Sequence, residues 1–275
     1  MNIAIIVSIT DPAGMNIKQN LLELFEFKKL DQRFEEDFVY EIKLKNKLIK
    51  LYTVSKESIF NEHIDKKINA DLFIFATTHR SKAGIPSLSV HSPGNWSKAE
   101  LGGEDNKLCI APASYLKLAF IELNELGKDL DFEIVNEVVH HGPYLEKPVF
   151  FIEIGSSEKQ WSIKEAGAAI AKTIINVLSK EIPKFKIAIA IGGLHTCSNF
   201  NKIVLNTDIA LGQICPKYML EFLDKEMLEQ AIEKTQEKVD FILLDWKGLG
   251  QYKEKIKKLV EEINLPVKKT KEIEK

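Results

Sequence analysis

The sequence predicts an α/β protein with a mixed, largely parallel sheet. Short continuous apolar runs recur along the chain, amphipathic helical patterns separate several of them, and Pro, Gly and Asp punctuate the junctions. Ile3 to Ile9 is a continuous run, as expected of a strand buried on both faces. Asp11-Pro12 interrupts it, and Ala13 to Lys28 then has the spacing of an amphipathic helix. Phe38 to Val54 alternates and predicts a hairpin turning near Lys45-Asn46. Leu72 to Ala76 is a further strand, followed by Thr77-Thr78-His79-Arg80.

Ser81 to Gly103 is rich in Ser, Gly and Pro and reads as a long structured loop, a length usually kept for function. Pro112 opens a helix that runs to about Leu126 and stops at Gly127. Glu133 to Val139 and Val149 to Ile154 are strands, Ser162 to Leu178 a helix with small residues for close packing, and Ile187 to Ile191 and Val239 to Leu244 strands. From about Gly248 the chain reads as a Lys-rich helix and a frayed tail. With 275 residues, 45% of them hydrophobic, the chain can build one large domain over residues 1–275. If it divides into two lobes, the seam falls near 103–112.

The formal net charge of -2 excludes a general polycation, so nucleic acid would be met by a local patch and DNA is not an expected partner. Lys253 to Lys275 holds eight lysines and five glutamates, the mark of a solvated helix face more than of an RNA-binding patch. No apolar run is long enough for a membrane span, and MNIAIIVSIT lacks the basic flank and cleavage site of a signal peptide. Cys109, Cys197 and Cys215 form no C-x-x-C pair, which argues against disulfides and thiolate zinc sites and fits a reducing, cytoplasmic setting.

Three predicted strands end in histidine: at His79, at His140-His141 and at His195. Ligands in open α/β sheets bind beyond the carboxyl ends of the strands, so these side chains, with Glu153 and with His91 folding back from its loop, are expected at one rim. His63 reads as a surface residue. Arg80 is one of two arginines among 38 basic residues, and its planar fork suits a phosphate or carboxylate. Gly192-Gly193 permits close backbone approach. There is no G-x-S-x-G elbow, so a serine–histidine pair from Ser81, Ser89 or Ser92 has little support. Cys197, two residues after His195, could act as a nucleophile or a soft metal ligand, though such a cysteine is more often a small buried residue.

TTHRSKAGIPSLSVHSPGNW (77–96), VVHHGPY (138–144), FFIEIGSSEKQW (150–161) and IGGLHT (191–196) together resemble the archaeal and plant D-aminoacyl-tRNA deacylases, over Ile3 to about Asp245. The resemblance implies a three-layer α/β/α sandwich similar to phosphorylases and peptidyl-tRNA hydrolase. It implies an enzyme that hydrolyses the ester between a D-amino acid and tRNA, as a monomer with two zinc ions. The sequence departs at His195-Thr196-Cys197-Ser198, where a Tyr and often a Pro follow the histidine in relatives. On this reading His79, His91 and His195 are expected to hold metal, His140, His141 and Glu153 to move protons or orient ligands, and Arg80, Gly192 and Gly193 to contact substrate. Asp245 and Glu137 are candidates for further metal-binding carboxylates. A zinc-dependent amidohydrolase or peptidase on a small substrate would use the same rim, and a non-catalytic tRNA-binding protein is the reading from a different class.

Overall fold

A computed structural model describes residues 1–35 and 37–273. The strands are β1 (Asn2–Ser8), β2 (Lys28–Phe34), β3 (Asp37–Leu44), β4 (Lys47–Val54), β5 (Leu72–Thr78), β6 (Ser87–His91), β7 (Glu133–Asn136), β8 (Val149–Gly155), β9 (Lys186–Ile191), β10 (Ile209–Cys215), β11 (Phe241–Leu244) and β12 (Val267–Lys269). The helices are α1 (Pro12–Leu24), α2 (Ala113–Gly127), α3 (Glu158–Trp161), α4 (Lys164–Ser179), α5 (Ser198–Asn206), α6 (Lys225–Glu233), α7 (Lys253–Glu261) and α8 (Thr270–Ile273). They build two sheets: β2-β3-β4-β1-β5-β8-β6-β7, mixed, and β10-β9-β11-β12, parallel throughout.

The two sheets share one apolar layer. Ile3, Ile5 and Ile74 of the larger sheet, Phe120 of α2, Ile170 of α4, and Ala188 and Leu211 of the smaller sheet belong to a single buried cluster. The other face of the smaller sheet is covered by α6 and α7 through Leu228, Ile256 and Val260. That sheet is therefore the centre of an α/β/α sandwich. The other face of the larger sheet carries Ala4, Ile6, Phe73, Phe75 and Phe151 against Ile64, Ile68, Cys109 and Leu145, so it is covered by turns and connecting chain instead of long helices. No described helix is long and apolar enough to cross a membrane.

Several elements differ from expectation for local reasons. The first helix stops at Leu24, because Phe25 is extended, and Lys28–Phe34 pairs with β3 as an edge strand. Its sequence, KKLDQRF, offers only Leu30 and Phe34 to the core and is otherwise charged or polar, and charge is how an exposed sheet edge resists pairing with other chains. The expected loop 81–103 contains β6, paired antiparallel to β8. Strand β10 is broken by Gly212 and Gln213, where its register with β9 shifts, and this erases the sequence signal. The expected tail instead supplies β12 to the smaller sheet and α8, whose Ile273 packs on the shared core. Residues 274 and 275 lie outside the described residues. Near the proposed seam, Ala111 pairs with Thr235, tying that connection to the smaller sheet's half.

Asp11 fastens helix to sheet. Its carboxylate accepts from Gly14 N at 2.9 Å, capping α1, and from Thr78 N at 2.9 Å and the Thr77 hydroxyl at the end of β5. Asp11→Ala removes all of these acceptors at once and should cost on the order of 2 kcal/mol in denaturant unfolding, with Asp11→Asn costing less. An unchanged midpoint for Asp11→Ala would show that the cap carries no stability.

Candidate active site at the junction of the two sheets

The site is assembled by backbone register. Glu153 of β8 lies between Thr77 of β5 and Ser89 of β6, and two residues back Phe151 pairs with His91. In a strand, residues two apart share a face, so Glu153, Phe151 and His91 point to the same side. Chain leaving β7 then crosses the gap between the sheets. Glu137 N donates to Val90 O on the larger sheet, whereas Val138 N donates to His195 O and Val139 N to Ile214 O on the smaller one. His140 bridges Pro93, and Gly94 N donates to His141 O at 2.7 Å. The strap Glu137–His141 is thus hydrogen-bonded from both sides, and its side chains meet those of His79, His91, Glu153 and His195. Gly142 follows because nothing larger fits: a Cβ there would stand 2.1 Å from Gly103 N.

Five histidines and two carboxylates converge. Ring centroids of His91 and His140 are 4.2 Å apart, His140 and His141 4.4 Å, and His140 and His195 4.5 Å. His91 is fully buried and stacks on Phe151 at 5.3 Å. Glu137 reaches His79, His140 and His195 at 3.5, 3.9 and 3.6 Å, and Glu153 reaches His79 and His91 at 3.4 and 3.7 Å. Three groups of ligand-type atoms each fit within 4.8 Å: His91, His140 and His141; Glu137, His140 and His195; and His79, Glu137 and Glu153. A cavity of about 460 Å³ opens over them, also lined by Thr10, Asp11, Ile59, Phe60, Arg80 and Leu101.

Three imidazoles are fixed the same way. Nδ1 of His91, His140 and His141 donates to the carbonyl oxygens of Ser92, Val138 and Gly142 at 3.1, 2.9 and 2.6 Å. A carbonyl only accepts, so Nδ1 carries a proton in each ring and Nε2 is the atom left to face the cluster. Burial opposes charge on His91, yet Glu153 and Glu137 outweigh it and raise that imidazole. Burial, with repulsion from His91, pushes His141 down to about 3, and burial likewise lowers His140 far below the ordinary range. Burial opposes charge on His79 too, but Glu153 and Glu137 outweigh it and lift that imidazole to about 9. Burial opposes ionisation of Glu153, yet the nearby imidazoles of His79 and His91, at 3.4 and 3.7 Å, keep its carboxyl below the usual range. His91 Nε2 and Glu137 Oε2 are buried without a hydrogen-bond partner. Orphaned atoms of this kind cost folding energy and mark a place for a further ligand.

The chain matches the family model described as D-aminoacyl-tRNA deacylase over residues 66–268. It is 43% identical over 270 residues to the D-aminoacyl-tRNA deacylase of Thermococcus onnurineus, covering 95% of this chain and 97% of the relative. The chain belongs to the D-aminoacyl-tRNA deacylase family. The family's protein in Methanosarcina barkeri is 37% identical over 281 residues, covering 98% of this chain and 90% of that one. Among solved structures, the conserved protein of unknown function AF0625 superposes with a TM-score of 0.88 at 30% identity, covering 98% of this chain and 96% of that one.

In this member of the deacylase family the sequence-predicted residues separate into three sets. His79, His91, His140, His141, His195 and Glu153 come together, and exposed Arg80 stands at the same cavity with its guanidinium 5.1 Å from the Trp161 ring. His79, His91 and His195 do not share one point: each falls in a different ligand group. Gly192 and Gly193 do not line the cavity. Both have positive φ, 103° and 88°, and they shape the turn that carries His195. Asp245 faces Asn199 and Gly248 N and lies outside the cluster. His63 pairs with Glu104 at 3.2 Å, also outside it. Glu137 is the carboxylate at the centre of the cluster, and Asp11 on the cavity wall was not picked out; its only sequence signal is the Asp-Pro that opens α1.

Ser89 donates to Glu153 and Ser92 to Val149 O, so neither serves as a nucleophile paired with histidine. Cys197 is buried with its thiol donating to Asn136 O, and burial raises the pKa of all three cysteines. Thiol titration of the native protein should therefore find none of the three reactive until denaturant is added. Rapid labelling of Cys197 in the folded chain would return a cysteine nucleophile to consideration.

Proposed function

We propose that this chain hydrolyses the ester bond joining a D-amino acid to tRNA, releasing both, with zinc held in the cluster at the sheet junction. The observation that carries the reading is the convergence of Glu137, Glu153 and five histidines under one cavity in a chain of this family. Nothing in the fold or the comparisons favours a small-substrate amidohydrolase or a non-catalytic RNA-binding role. We place the activity in the cytoplasm, where tRNA is charged, and in a monomer, since the whole cluster comes from one chain.

The donor set fits zinc. Imidazoles anchored through Nδ1, a buried carboxylate oxygen without a partner, and the absence of cysteine from the cluster among the described residues are the features of a histidine–carboxylate site. Two of the three groups have no residue in common: His91, His140 and His141, and His79, Glu137 and Glu153. We assign one ion to each. This moves His140, His141 and Glu153 from proton transfer to metal binding. Bound zinc supplies a polarised ester carbonyl and a water that ionises near neutral pH.

His195 is left for proton transfer. It is half-buried at the cavity, its Nε2 lies 3.6 Å from Glu137 and its Nδ1 3.4 Å from the Tyr218 hydroxyl. From there its imidazole can take a proton from the attacking water and return one to the departing ribose hydroxyl. Arg80 makes no ion pair among the described residues and offers its fork to the phosphate next to the ester. Exclusion of L-substrates is part of the same proposal, from the family name.

The purified protein should release D-tyrosine from D-tyrosyl-tRNA and leave L-tyrosyl-tRNA intact. Chelation should stop turnover and added zinc restore it. His140→Ala should lose zinc along with more than about 100-fold in rate, whereas His195→Ala should keep zinc and lose about 100-fold in kcat. Wild-type rates in both variants, with folding intact, would overturn the assignment.

A further inference from the structure

The mouth of the cavity carries apolar side chains that the polar cluster beneath does not need. Phe60 and Leu101 are 46% and 57% exposed, and both line the cavity with Ile59. They stand on a rigid lip. The Asn61 amide donates to the carbonyls of Glu57 and Ser58 at 2.8 and 3.3 Å, which pins the turn Ser58–Phe60. Gly102, beside Leu101, packs so closely on this turn that a Cβ would stand 1.9 Å from Ile59 O. The Glu62 carboxylate accepts from Gly103 N at 2.6 Å and Tyr144 N at 2.5 Å, and Gly142 N donates to Leu101 O at 2.9 Å. The lip is thereby fixed to the segment that bears His140 and His141.

An aromatic ring held rigid, exposed and beside a reaction site is a ligand surface. The ligand's chemistry follows from the ester to be cut. That ester sits on the ribose of the terminal adenosine of tRNA, so the adenine base must lie within one nucleotide of the histidines, at the mouth. A base presents a flat π face, and aromatic stacking suits a group that every substrate shares. Basic groups stand nearby for the phosphates that follow: Arg80 on the cavity wall and exposed Lys56 next to the turn, neither in an ion pair among the described residues. We propose that Phe60, supported by Ile59 and Leu101, is the platform on which the terminal adenine of the substrate stacks. This rests on the deacylase reading and adds to it the part of the substrate that is gripped.

The test compares wild type, Phe60→Ala and Phe60→Trp on D-tyrosyl-tRNA and D-alanyl-tRNA, with direct titration of adenosine 5′-monophosphate alongside. Phe60 is exposed, so its replacement leaves the core unchanged. Phe60→Ala should lower kcat/KM about tenfold, by the same factor for both substrates, and weaken nucleotide binding about as much, with Phe60→Trp restoring both. A loss confined to D-tyrosyl-tRNA would give the lip to the amino-acid side chain and overturn the platform, as would turnover that ignores Phe60. If wild type cleaves neither substrate yet binds the nucleotide in a Phe60-dependent way, the platform stands and the deacylase reading falls.

Discussion

The strap Glu137–His141 is the constraint on which the site depends. Its backbone is hydrogen-bonded to Val90 on the larger sheet and to His195 and Ile214 on the smaller, so it fixes the distance between the sheets and points its side chains into the seam. It brings Glu137, His140 and His141 to groups that arrive from β5, β6, β8 and the turn after β9. Neither sheet holds a complete cluster without the other. The geometry therefore depends on the shared apolar layer of α2, α4 and α5 being well packed.

Polarity at the seam is costly, and the arrangement shows how the cost is met. His79 and His91 lower the Glu153 carboxyl against its burial, and the two carboxylates raise the His79 imidazole against its own. His140 and His141 are instead pushed down by burial and by repulsion from the neighbouring imidazoles, against the carbonyls that accept from their Nδ1. Two kinds of imidazole thus sit within a few ångströms of one another, set apart by whether a carboxylate stands close enough to outweigh burial. His91 Nε2 and Glu137 Oε2 remain without partners, and a bound cation would give both a use.

The sequence displayed much of this because strand ends are easy to read. Ile3–Ile9, Leu72–Ala76, Val149–Ile154 and Ile187–Ile191 are dense apolar runs, and the histidines stand directly after three of the predicted strands. The edge strand β2 and the irregular strand β10 were illegible, one because only Leu30 and Phe34 of seven residues mark its inner face and the other because Gly212 and Gln213 interrupt it. His91 looked like a loop residue because Ser-Pro-Gly follows it, yet it ends a buried strand. The grouping of the histidines could not be read at all. It is set by Nδ1 contacts with nearby carbonyls and by the crossing of the strap, and spacing in sequence encodes neither. Glu137 was one acidic residue among 40, and its importance comes wholly from where the strap places it.

Under the proposed function the seam between the sheets is a two-ion metal centre. Diffraction from crystals grown with zinc, using anomalous scattering at the zinc edge, tests it most directly. Two peaks are predicted, one among Nε2 atoms of His91, His140 and His141 and one among His79, Glu137 and Glu153. An empty seam at a zinc concentration that restores turnover, or zinc bound only elsewhere on the chain, would contradict it.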